Sequence, residues 1–67
     1  MKIGKYDVVT GAEKCDGGYK AHAMLTWEEG GSTYEKPLYF DKVLPDSDAA
    51  HQHANEQIYL RVKNGEL

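Results

Sequence analysis

The sequence predicts an α+β fold: a three-stranded antiparallel sheet followed by one C-terminal helix packed on one face, all within a single domain over residues 1–67. Residues 19–27 alternate Tyr19, Ala21, Ala23, Leu25 and Trp27 with Lys20, His22, Met24 and Thr26, the period of two expected of a strand with one buried face. Ala50, Ala54, Ile58 and Val62 recur every four residues and so line one face of a helix. A chain of 67 residues has room for one thin core.

The elements follow in order. Residues 5–9 carry Tyr6, Val8 and Val9 between Gly4 and Gly11 and predict a first strand. Residues 10–18 are expected to be loop, ending in the turn signal Asp16-Gly17-Gly18. After the strand at 19–27, Glu28-Glu29-Gly30-Gly31-Ser32 supplies a polar turn. Residues 33–40 then resume an extended pattern with Tyr34, Leu38 and Phe40 on one face, giving a hairpin. Pro37 has no N–H for a ladder, which places the third strand at an edge or bulges it. Residues 41–45 are expected to leave the sheet, with Val43 and Leu44 plugging the core.

Asp46 or Ser47 can cap a helix over 47–64, because a side-chain oxygen there accepts from the unpaired first-turn N–H groups. Lys63-Asn64-Gly65 is a stop signal. Ile58, Leu60 and Val62 also alternate with Tyr59 and Arg61, so a short helix followed by a fourth strand over 57–63 is the alternative. The cap and stop signals bracket one element of ordinary helix length and favour the single helix. The expected core includes Leu25, Trp27, Tyr34, Phe40, Ile58 and Leu60.

Eleven acidic residues against eight dispersed basic ones give a net charge of −3. Phosphate contacts need concentrated basic charge, so direct nucleic-acid binding is not expected, and a protein partner is. No apolar stretch approaches a membrane span, residues 1–5 lack the apolar run of a leader, and the lone Cys15 cannot form an internal disulfide. These features predict a cytoplasmic protein.

His51, His53, His22 and Cys15 are the residues that invite a metal or nucleophilic reading. On a helix, residues two apart point about 200° from one another, so His51 and His53 cannot share an ion. Paired cysteines and a His-Glu-x-x-His pattern are both absent from the sequence, and no metal or cofactor is expected. A nucleophilic Cys15 would need a walled pocket that so small a core can hardly build, so the chain is not expected to be an enzyme and no catalytic residue is assigned.

Carboxylates concentrate in two places. Glu28 and Glu29 lie at the hairpin tip with Glu35 in the next strand, and Asp41, Asp46 and Asp48 surround the helix start. Solvation of a turn and the helix dipole are ordinary reasons for them; recognition of a basic partner is the functional one. One helix covers one side of a sheet, so the other side, with Lys20, His22, Met24, Thr26, Thr33, Glu35 and Tyr39, should be open. Met24 and Tyr39 there are adaptable contact residues, suited to a partner or a second copy.

In size, acidity and β-then-α layout, the chain resembles the small phage-encoded inhibitors of bacterial defence, especially the anti-CRISPR proteins. That resemblance implies a non-enzymatic inhibitor presenting Glu28, Glu29, Glu35, Asp41, Asp46 and Asp48 to a nucleic-acid-binding subunit of a CRISPR effector complex. Residues 17–65, with Gly-Gly-Tyr-Lys-Ala, an acidic hairpin, Tyr-Phe-Asp and an alanine-rich helix ending in Asn-Gly, are also similar to small bacterial domains of the haemolysin-regulator type. The second resemblance implies a regulatory module.

Overall fold

A computed structural model of the chain describes residues 1–67. The element order is β1 (Lys2–Ile3), β2 (Tyr6–Cys15), β3 (Gly18–Glu29), β4 (Ser32–Leu44) and α1 (Ser47–Lys63). The strands form one antiparallel sheet in the order β1-β2-β3-β4, each hydrogen-bonded to its neighbour in sequence. The α+β class, the hairpin and the C-terminal helix are as expected, but the sheet has four strands. The additional one lies at the N-terminus, whereas residues 57–63 are helical.

Two further boundaries are corrected. The expected loop over 10–18 is mostly strand, because β2 stays paired with β3 from Asp7↔Thr26 to Cys15↔Gly18 and only Asp16 and Gly17 turn the chain. The expected exit at 41–45 is also strand as far as Leu44. Between Lys20↔Val43 and His22↔Tyr39 the register shifts, so that Phe40, Asp41 and Lys42 oppose Ala21 alone. A bulge of this kind masks the alternation in the sequence while returning Leu44 to the face that carries Phe40.

The helix begins where its chemistry requires. Asp46 is extended at φ −149°, ψ 172°, and its Oδ1 accepts from the Ala49 N–H at 2.8 Å. At the other end the Asn64 N–H donates to the Leu60 carbonyl at 2.9 Å. Asp46→Ala is expected to lower unfolding stability by about 1 kcal/mol in urea titration, whereas Asp46→Asn, itself a good cap, should lose much less.

All eleven buried residues are apolar, and they form one cluster between the sheet and the helix. Ala21 and Ala23 on β3 and Ala50 and Ala54 on α1 are small enough for the two layers to approach closely, around the larger Leu25 and Ile58. Tyr34, Val43 and Leu60, expected inside, are exposed, and Trp27 is only partly buried. A helix of 17 residues spans about 25 Å, whereas the 12 residues of β3 span about 40 Å, so the sheet outruns its cover at the β3–β4 turn. Trp27 and Tyr34 stand on that overhang. They make a layer of their own, with Tyr6 edge-on to Trp27 at 5.1 Å and Tyr34 stacked on it at 5.7 Å. Val43 pairs with Lys20 and points to the opposite face, and Leu60 is two residues from Ile58, hence on the outer flank of the helix.

Candidate functional site

Because the core lies entirely on the helix side, the other side of the sheet is a bare surface built by period-two geometry alone. Its side chains form cross-strand rows fixed by the register: Lys2–Asp7–Thr26–Glu35, Val9–Met24–Pro37, Gly11–His22–Tyr39 and Glu13–Lys20–Val43. Glu28, opposite Thr33, extends the first row toward the turn. The two middle rows carry no carboxylate, lysine or arginine. Within them Val9 is 70% exposed, Tyr39 77% and Met24 37%, whereas Val8, Leu25 and Leu38 on the helix side of the same strands are buried.

One side chain of the face folds over the neighbouring strand. The His22 ring lies across Gly11 on the neighbouring strand, and any Cβ at residue 11 would collide with its Nε2. On the other side the His22 ring is 6.5 Å from that of Tyr39, tilted by 41°. Toward the turn the surface hollows into a polar concavity of about 520 Å³ lined by Lys2, Lys5, Asp7, Thr26, Glu28 and Thr33, among others.

Of the residues singled out in the sequence, Met24, Tyr39, Glu28 and Glu35 come together on this face. Glu29 does not: it follows Glu28 in the strand, points to the helix side and is 3.9 Å from Lys5 at an exposed position. Asp41, Asp46 and Asp48 belong to the opposite end of a molecule 43 Å long, with Asp41 in the bulge, Asp46 occupied as the helix cap and Asp48 in the first helical turn. They form no common surface with the hairpin carboxylates. Asp7, Val9 and Pro37 were missed. The alternation of Asp7 and Val9 with Tyr6 and Val8 was a legible signal for the first two, whereas Pro37 was read only as a backbone defect.

The histidines on the helix have structural partners. His51 Nδ1 is 2.7 Å from Thr10 Oγ1, tying α1 to β2, and His53 packs edge-on to Phe40 at 5.7 Å. Nowhere do three His, Cys, Asp or Glu side chains converge. A second, apolar groove of about 590 Å³ runs between β1 and α1, lined by Met1, Ile3, Tyr59 and Leu60 with the unpartnered Asn55 Oδ1. No helix is long and apolar enough to cross a membrane. No protein-family model, curated protein or solved structure matches this chain.

Proposed function

We propose that this protein is a non-enzymatic binding protein that acts stoichiometrically, occupying a basic surface of a protein partner with the open face of its sheet. The observation that carries this reading is the uncharged centre of Val9, Met24, Pro37 and Tyr39 bordered at one end by the three carboxylates of Asp7, Glu28 and Glu35 around a single lysine of the sheet, Lys2. Interfaces have that anatomy: an apolar, Met- and Tyr-rich centre excludes water, and a charged rim steers the encounter. The resemblance to anti-CRISPR inhibitors makes a nucleic-acid-binding subunit of a CRISPR effector complex the first partner to test. On such a subunit the rim carboxylates would take lysines and arginines that otherwise hold phosphate.

The test is to measure association kinetics with the Asp7→Asn, Glu28→Gln, Glu35→Gln triple variant. At low salt its association rate should fall about tenfold, and the difference should shrink as salt screens charges beyond about 8–10 Å. A triple at the other end, Asp41→Asn, Asp46→Asn, Asp48→Asn, should associate as the parent does. Equal low-salt rates for the first triple and the parent would refute the acidic-rim reading.

A further inference from the structure

The open face has one occupant whose charge pattern is known, namely a second copy of this chain. We infer that, in the absence of a partner, two copies pack these faces together across a two-fold axis running perpendicular to the strands, between the Val9–Met24–Pro37 and Gly11–His22–Tyr39 rows. This shares with the proposed function only the reading that the open face is an interface, and it adds a regulation: self-association covers the surface that a partner would use.

Three observations support it. Packed sheets stand about 10 Å apart and leave room for side chains of limited height, and at the centre the His22 imidazole occupies the space over Gly11. The molecule measures 43 × 21 Å across its two longer axes, so the face is of the order of the ~800 Å² that each partner contributes to a standard interface. The core holds only eleven buried residues, and small domains with thin cores commonly gain stability by association.

Charge then selects the orientation. With the axis perpendicular to the strands, each row faces the row on the other side of the axis, so that Asp7 of one copy lies over Glu13 of the other and Lys20 lies over Thr26. There it is flanked by Asp7 and Glu35, each one strand away at about 4.8 Å. With the axis along the strands, Asp7 would face Glu35 twice and Lys20 would face Lys20, three like-charge contacts against the two Asp7–Glu13 contacts of the first arrangement, and Lys20 would no longer sit between Asp7 and Glu35. Closed two-fold symmetry makes every favourable pair occur twice.

Sedimentation equilibrium of the full chain over a wide concentration range tests this. The parent should show a monomer–dimer equilibrium, and Tyr39→Glu, at a position already exposed, should be monomeric while keeping its circular dichroism. Lys20→Glu and Glu35→Lys should each raise the dimer dissociation constant at least about five- to tenfold, the symmetric Lys20–Glu35 pairs being lost in both. The two changes in one chain should bring it back to within about threefold of the parent. A parent that is monomeric throughout, or a Tyr39→Glu protein that dimerises equally well, would overturn the inference. A double variant no tighter than the singles would overturn the proposed orientation. A monomeric parent that still binds its partner through this face would end the dimer inference alone, and a dimer whose face variants leave partner binding intact would end the functional reading alone.

Discussion

Leu25→Ala is expected to lower the unfolding free energy by about 2–5 kcal/mol, the range for a fully buried leucine whose neighbours cannot close the cavity. Leu25 is 0% exposed and stands opposite Val8 on β2, in the middle of the cluster that includes Ile58 of the helix. The alanines of the same cluster, Ala21, Ala23, Ala50 and Ala54, have no reach with which to fill the space. A domain of this size has only a few kcal/mol of stability to lose, so the variant should be largely unfolded or melt at a much lower temperature. Leu25→Met, which nearly conserves volume, should cost less than about 1.5 kcal/mol and remain folded. Urea and thermal titrations followed by circular dichroism measure both. An unchanged melting temperature for Leu25→Ala would place the core on the wrong side of the sheet.

Gly18→Ala is the second large effect, and its cause is the backbone. Gly18 opens β3 at φ +153°, and a Cβ there would run into the carbonyl oxygen of Leu44, the last residue of β4. A flexible side chain could turn aside, but a paired strand carbonyl just before the helix cap cannot. A conformation unfavourable to an L side chain and the displaced strand end together should cost about 2–3 kcal/mol. Gly31→Ala is the control. Gly31 also has positive φ, +82°, in the β3–β4 turn, but open space surrounds it, so only the conformational penalty of about 1 kcal/mol applies. If the two variants melt together, the collision with Leu44 does not govern the site.

The parts legible in the sequence are those written in uninterrupted periodicity. The alternation through residues 19–27 and the capped four-residue repeat of α1 each survive in the structure within a residue or two. What was lost had a local interruption. Gly11 breaks strand propensity in the middle of β2, yet the pairing with His22 runs straight through it because a side chain from the next strand fills the gap. The bulge at residues 40–42 hides the last residues of β4 by shifting the register. Trp27 and Tyr34 were assigned to the correct face but the wrong environment, because alternation tells which way a side chain points and not how far the covering helix reaches.

The candidate site was half legible for a related reason. Met24, Tyr39 and Glu35 follow from parity within single strands, and Glu28 and Glu29 could have been separated by the same rule. Joining Asp7 to Glu35 across Thr26 needs the register of three strands, and no single segment contains it. The carboxylates near the helix start looked like a second cluster in the linear sequence. One of them is engaged by the Ala49 N–H, and the whole group is remote from the hairpin.

The central claim is that one face of the sheet holds the fold together and the other performs recognition. Its most direct test is quantitative capture from bacterial lysate on the immobilised chain, comparing the parent with a Met24→Glu, Tyr39→Glu double variant and with a Tyr59→Ser, Leu60→Ser control on the exposed flank of the helix. Met24 and Tyr39 are both solvent-exposed, so the double variant should keep the parent's fold by circular dichroism. The account predicts that a discrete partner retained by the parent and by the helix-flank control falls about tenfold or more on the double variant, as expected when charge is forced into the centre of an interface. Equal retention by the parent and the double variant, or no discrete protein retained by the parent, would contradict it.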